Sequence, residues 1–359
     1  MNARIVPTVA GAMLTAVLTC RPTDTAREAT PAPRWFDVPP SDVAWVVAGA
    51  RDSVAGNVGA LAADDSLVYL LDRERGDVLA LDSRSGRRRW RWRAPTVEDS
   101  VRAATAPAAG LSTSARGVVV ARRDGSALVE LDRRGRTIRA TSLDRREFLF
   151  GICALTDDHA LIATARSSAT WRLVGGHAPS RVVPPPWADG AARPAVAWQG
   201  ALVPLPGHVG CAIALSVGEG FAVVASDGSV RAAPYVEPVP PPRLVDHRVR
   251  HGARSGIVRK LDAATIAATG AAVRGETLFV AFVGASPNRG RLIDRYLWRS
   301  GRYAGSLRLP VPGARIAISG DHLLVLSDGD GRSSLRAYAH RPPHHTAART
   351  PPPARTPRP

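Results

Sequence analysis

From about residue 43 to residue 341 the chain is a succession of short apolar runs, each cut off by glycine, aspartate or serine, and few stretches carry the 3.6-residue period of a helix. A chain with this pattern hides its apolar side chains by laying many short strands against one another, so the expected class is all-β. The runs group in fours. "VGALAADD", "SLVYLLDRE", "DVLALDS" and "RRRWRWRA" form a first unit; "GLSTSARG", "VVVARRDG", "ALVELDRRG" and "TIRATSLD" form a second.

One hairpin makes the repeat visible. "SRSGR" (83–87), "RRGR" (133–136) and "RSGR" (299–302) place Gly86 and Gly135 49 residues apart and Gly135 and Gly301 166 apart, or about three further periods of roughly 55. Laying the following strands on these glycines puts Trp92, Thr141 and Leu307 in one column and Ala94, Leu143 and Leu309 in another. The intervening column holds Arg93, Ser142 and Arg308, so one face is mostly apolar and the other polar, as a period of two requires. "RRRWRWRAP" then reads as the outer strand of the first unit, with Trp90 and Trp92 packed and Arg89, Arg91 and Arg93 toward solvent.

Inner strands are expected to begin near residues 58, 108, 150, 210, 267 and 313, which makes six units of four antiparallel strands; the irregular third and fourth units leave seven as the other division. The last unit offers only "GARIAISG", "DHLLVLSD" and "SLRAYAHR". Its missing strand is supplied by "DVAWVVAG" (43–50), which precedes the first complete unit and would close a ring without an unpaired edge. Runs such as "LVYLL" and "LFVAF" are apolar on both faces, as strands sandwiched between neighbouring units must be.

These residues resemble the six-bladed β-propellers of bacterial envelope proteins. The likeness is most specific over residues 292–341, from "LIDRYLWRSGRYAGSLRLP" through "AYAHR", which look like the last two blades of that group. The first unit, "LVYLLDRERGDVLALDSRSGRRRW", is similar to a single repeat of the quinone-enzyme propellers. The G-x-G-x-G-P-G-E-F loops common between early blades of the NHL type are absent. The resemblance implies a six-bladed β-propeller domain over 43–341.

The flanks read differently. Residues 1–20, "MNARIVPTVAGAMLTAVLTC", combine a basic start at Arg4 with a mostly apolar run from Ile5 to Leu18, too short and too interrupted to span a bilayer comfortably. "VLTC" resembles a bacterial lipoprotein signal, with Thr19 where a smaller residue is usual, and implies lipid attachment at Cys20. The expected location is therefore the cell envelope, membrane-anchored and facing periplasm or exterior, with soluble secretion as the alternative. Residues 21–42 suit a flexible tether. Residues 342–359, rich in proline and arginine and without an acidic residue, suit a disordered tail. "YVEPVPPPRLVDHRVRHGARSG" (235–256) falls outside the repeat, as a loop over one face or a distorted outer strand.

With Cys20 assigned to lipid, Cys153 and Cys211 are the remaining thiols. Each lies in an apolar run, "FLFGICAL" and "GCAIAL", where cysteine serves as a small buried hydrophobe; a Cys153–Cys211 disulfide is the alternative.

The net charge of +17 would ordinarily point to nucleic acid. Here the basic residues are scattered and Lys260 is the only lysine, so the charge reflects a composition-wide bias; non-specific, salt-sensitive attraction to anions is expected, and no specific nucleic-acid partner. No motif of a catalytic site or cofactor emerges. His340, His344 and His345 lie at or in the proline-rich tail without a rigid shell; "SDGDG" (327–331) has Asp328 and Asp330 as a calcium loop would, but Ala339 stands where the loop needs a bidentate glutamate. Asp157, Asp158 and His159 of "TDDH" read as a polar turn. Lactonase-type propellers hold a cation with Glu, Asn and Asp at inner-strand mouths; of Asn2, Asn57 and Asn288 only Asn57 lies near one, and no two cysteines are adjacent as in quinone-dependent dehydrogenases. The reading is a non-catalytic, tethered binding scaffold with an unidentified protein or small-molecule ligand at its channel mouth. A propeller hydrolase or lyase and a basic module for anionic polymers are the alternatives.

Overall fold

The computed structural model describes residues 34–37, 42–48, 58–72, 75–93, 108–122, 127–143, 149–156, 158–164, 170–175, 180–184, 199–240, 243–251, 254–263, 265–284, 288, 290–329 and 332–340. Cys20, Asn2, Asn57, Asp157, Asp330, His344 and His345 lie outside them, as do all of residues 1–20, expected as a signal, and 342–359, expected as a tail.

Among the described residues there are six four-stranded antiparallel sheets and one two-stranded sheet. Blade 1 comprises Val58–Ala63, Leu67–Asp72, Val78–Asp82 and Arg88–Trp92; blade 2 comprises Ala108–Thr113, Gly117–Arg122, Ala127–Asp132 and Thr137–Ser142. Blade 3 comprises Leu149–Ala154, His159–Thr164, Thr170–Gly175 and Arg181–Val183; blade 4 comprises Gly200–Pro204, Gly210–Leu215, Gly220–Ala225 and Val230–Pro234. Blade 5 comprises Ala268–Arg274, Thr277–Phe282, Leu292–Leu297 and Arg302–Arg308. Blade 6 takes Arg315–Ser319, His322–Gly329 and Arg332–Ala339 from the end of the chain and its outer strand, Val43–Ala48, from the beginning. The expected exchange that closes the ring is therefore present, as antiparallel pairing that runs from Val43 opposite Tyr338 to Ala48 opposite Ser334.

The first strand of each blade lies innermost, and each inner strand neighbours those of the two adjacent blades, so that blade 6 meets blade 1. The buried apolar side chains follow this order. Leu79, Leu81, Leu324 and Leu335 fill the space between blades 6 and 1; Tyr69, Val78, Val118 and Leu131 fill that between 1 and 2; Ile152, Ala160 and Leu128 pack between 2 and 3. Trp171, Ile213 and Val224 lie between 3 and 4, Phe221, Tyr235, Phe282 and Tyr296 between 4 and 5, and Ile293, Leu307, Leu323 and Tyr338 between 5 and 6. A central strand faces a neighbouring blade on both sides, which is why "LVYLL" is apolar at every position and buried throughout.

Two sequence expectations change. The inner strand of blade 4 begins at Gly200, and the strand expected there, near 210, is the second of that blade. "GALVPLPGH" hides the strand because prolines mark turns. An inner strand has a ladder partner on one edge only, however, so Pro204 forfeits little there, and Pro206–His208 forms the 3-10 turn that follows. The segment after blade 4 is not an outer strand of a blade: Arg243–His251 and Arg254–Ala263 pair with each other as a separate hairpin.

Cys153, on the inner strand of blade 3, and Cys211, on the second strand of blade 4, are joined, with their Cα atoms 6.2 Å apart. Both also sit in the apolar core between those blades, so burial and pairing occur together.

Candidate functional site

The inner strands carry a glycine at or near their starts: Gly59, Gly110, Gly151, Gly200 and Gly270 in blades 1 to 5. One of these glycines sets the spacing of the ring. A Cβ on Gly270 would stand 2.9 Å from the Ile316 backbone nitrogen, so a larger residue there would push blades 5 and 6 apart, whereas one on Gly151 would meet only the tip of Leu202, Cδ1 at 2.9 Å, which can turn aside. In blades 1, 2, 3 and 5 the ladder to the second strand slips at the same place, between Val58 and Ala60, Ala108 and Gly110, Leu149 and Gly151, and Ala268 and Gly270. Such bulges turn a residue out of the ladder, and Gly59, Phe150 and Thr269 accordingly line the channel mouth.

The result is a cup of about 280 Å³ to which all six inner strands contribute. Its walls are glycine backbone and apolar side chains, leucine and isoleucine foremost, with Gln199, Ser216, Thr269 and Arg315 as the polar side chains. Arg315 stands where the other inner strands carry a small or uncharged residue, and its guanidinium donates to the Val58 carbonyl at 3.2 Å, reaching from blade 6 to blade 1. The Thr269 hydroxyl is buried in the wall and among the described residues meets no hydrogen-bond partner. Leu61, Leu111 and Leu202 line both the cup and a second space of about 110 Å³ beyond it, so they mark a narrowing between the two.

The residues singled out from the sequence are placed elsewhere. Thr156, Asp158 and His159 form a turn: the His159 ring and the Thr156 hydroxyl both contact one Asp158 carboxylate oxygen, at 2.7 and 3.2 Å. The Asp158 carboxyl is held below its ordinary pKa, chiefly by that histidine contact. Asp328 pairs with Ser333 in the hairpin joining two strands of blade 6. His340 is buried with its ring edge-on to Phe279, and burial, with Arg274 and Arg295 nearby, lowers its pKa. Among the described residues no group of three or more His, Cys, Asp or Glu is placed to hold a metal. A site at the channel mouth was expected from the sequence, but none of the residues that line the cup was named. Its signal was the recurrent glycine at the start of the inner strands, interrupted once by Arg315.

A partly buried charge cluster lies beside blade 5. Arg34 donates to both Asp294 oxygens, at 3.1 and 2.8 Å, and pairs with Glu237, while Ser306 Oγ donates to Asp294 at 2.5 Å. This cluster fixes residues 34–37, within the span expected as a tether, beside the outer strand of blade 5.

No protein-family model matches the chain, and no curated protein does either. Among solved structures the chain is similar to the β-propeller domain of Cps50 (Swd1) from Myceliophteria thermophila, at 11% identity and a TM-score of 0.47, over 81% of this chain and 99% of that one. It is also similar to virginiamycin B lyase from Staphylococcus aureus, at 9% identity and a TM-score of 0.49, over 82% and 99% of the two chains. A third is hydrazine synthase of Kuenenia stuttgartiensis, at 9% identity and a TM-score of 0.47, over 80% and 97%. At such distances the likeness concerns the course of the chain and not its chemistry.

Proposed function

We propose that this chain is a non-catalytic binding propeller, tethered in the cell envelope, that receives a small molecule or a segment of a partner protein at its channel mouth. The observation that carries the reading is the six-strand cup, a concave surface of main chain and apolar side chains on which four polar side chains converge. Among the described residues lining it there is no carboxylate, imidazole or thiol to move a proton or attack a substrate, whereas Gln199, Ser216, Thr269 and Arg315 are suited to orienting a ligand. The tether rests on the apolar run from Ile5 to Leu18 followed by Cys20, and on the resemblance of residues 292–341 to envelope propellers.

A photo-crosslinking amino acid introduced at Gln199 or Thr269 of the full chain, expressed in an envelope-forming host, tests the site. Adducts identified by mass spectrometry are expected at those two positions and not at Val182, on the outer strand of blade 3. Equal labelling at all three, or none at the mouth, would overturn the reading. Lipid labelling of the parent against Cys20→Ala tests the tether separately: equal incorporation removes it.

A further inference from the structure

We propose that the outer rim formed by blades 5, 6 and 1 is a docking surface for an anionic membrane. Residues 34–37 lie against the outer strand of blade 5: Ser306 N donates to the Trp35 carbonyl and Asp37 N to the Ser306 carbonyl, both at 3.0 Å. Arg34 anchors this segment through Asp294, Glu237 and the face of Phe282, 4.7 Å from the ring centre. Yet the next two side chains, Trp35 and Phe36, are left 51% and 50% exposed. Val43 and Val46, on the outer strand of blade 6, are 46% and 49% exposed.

These positions are concentrated. Of the eight large apolar side chains exposed among the described residues, four fall between Trp35 and Val46; the others, Ile138, Val182, Val209 and Ile266, are spread over blades 2, 3 and 4 and the approach to blade 5. Five residues separate Asp37 from Val43, a span of at most about 20 Å, so the four belong to one stretch of the rim.

Cations flank that stretch. Trp45 of the same strand donates its indole N–H to the Ser83 carbonyl at 3.0 Å, which brings the turn bearing exposed Arg84, Arg87 and Arg88 beside it. On the other side Arg302 and Arg308 are exposed at the two ends of the strand on which Trp35 and Phe36 lie. Of the three carboxylates in or beside this stretch, Asp37 and Asp82 are already paired with Arg295 and Arg89, and Asp42, which precedes Val43, is exposed and outnumbered by the flanking arginines. Exposed indole and phenyl rings among arginines suit the headgroup layer of a bilayer, where rings enter the interface and guanidinium groups meet lipid phosphates. A nucleic acid would use the arginines but has no use for two exposed valines on a convex edge.

The proposal requires neither lipid at Cys20 nor a ligand in the cup. It predicts an edge-on pose, with the channel axis along the membrane plane and both of its ends open to solvent.

The test uses the full chain carrying Cys20→Ala, co-sedimented with vesicles of phosphatidylcholine alone or of phosphatidylcholine with phosphatidylglycerol. Binding to the second and not the first is expected. Trp35→Ser with Phe36→Ser, and separately Arg84→Gln with Arg87→Gln and Arg88→Gln, should each weaken it roughly tenfold or more. Val182→Ser with Val209→Ser should leave it unchanged. If the Trp35 and Phe36 pair loses its cooperative melt, Val43→Ser with Val46→Ser takes its place, with a severalfold loss expected. No binding to the anionic vesicles, indifference to the rim substitutions, or equal loss from the Val182 and Val209 pair overturns the proposal. So does a DNA duplex that binds more tightly than the vesicles and with the same sensitivity to Trp35 and Phe36.

Discussion

Trp90 explains more of this molecule than its half-buried position suggests. Its ring packs toward the core between blades 1 and 2, while its indole N–H donates to the Arg133 carbonyl at 2.8 Å in the third-to-fourth-strand turn of blade 2. The same clasp recurs around the ring. Trp45 reaches Ser83 in blade 1, Arg181 of blade 3 reaches the Asp227 carbonyl in blade 4, and Arg231 of blade 4 reaches the Arg299 carbonyl in blade 5. Three of these clasps lie over a turn glycine: Trp45 over Gly86, Trp90 over Gly135 and Arg181 over Gly228. At Gly135, with φ +79°, an added Cβ would stand 2.7 Å from the Trp90 ring. The alternation in "RRRWRWRA" indicated which face the indoles occupy, but not what they touch, because the partner turn lies 43 residues away and its contribution is a main-chain carbonyl.

Trp90→Ala is therefore expected to cost about 2 kcal/mol in urea unfolding, less than a fully buried tryptophan would. Gly135→Ala should cost more than about 1 kcal/mol in the parent and measurably less beside Trp90→Ala, because the steric part of its penalty needs the indole while the strain at positive φ does not. His340 supplies a test in pH. Its pKa is lowered in the folded chain, so the unfolded chain binds the proton more readily, and stability should fall as pH drops through the ordinary histidine value of 6.5. His340→Gln should flatten that part of the curve in urea titrations run across pH.

At the scale of the elements, strands were easiest to read where they are apolar on both faces and hardest where they border the channel. Leu67–Asp72 and Thr277–Phe282 announce themselves; Gly200–Pro204 does not, because a strand facing an open axis needs neither bulk nor a second ladder. The bulges at Gly59, Phe150 and Thr269 were equally hidden, since nothing in composition distinguishes a residue turned out of a ladder from one within it. Cys153 and Cys211 were recognisable as buried positions, but their pairing depends on the inner strand of blade 3 lying beside the second strand of blade 4. That bond closes a loop between residues separated by 58 in sequence, worth up to about 4 kcal/mol in the chain-entropy account. Reductant should lower the urea midpoint of the parent and leave that of Cys153→Ala with Cys211→Ala unmoved, at the parent's reduced value.

For the whole molecule, closure is the property on which the others depend. The six-unit count followed from the spacing of the inner-strand runs and the exchanged strand from a last unit one strand short, whereas the lining of the cup did not follow from either, because it exists only once six strand starts converge. Val47 and Val46 are successive residues of the closing strand with opposite surroundings: Val47 is buried between blades 6 and 1, and Val46 is exposed. Val47→Asp should cost about 3 kcal/mol or more, by placing a carboxylate in an apolar core, and Val46→Asp should stay within about 0.5 kcal/mol; chemical denaturation of the two side by side checks the assignment.

Closure also imposes a timetable on biosynthesis. Val43–Ala48 leaves the ribosome early, yet Arg332–Ala339, against which it pairs, comes almost 300 residues later. At ordinary translation rates that is a wait of roughly 15 to 60 s, during which the nascent chain carries a strand with no partner and a growing arc with a bare edge. Blades 1 to 5 can be assembled in order as they appear, but the ring closes only after Arg332–Ala339 has emerged. A chain interrupted before the final blade is left as an open arc whose first strand has no partner.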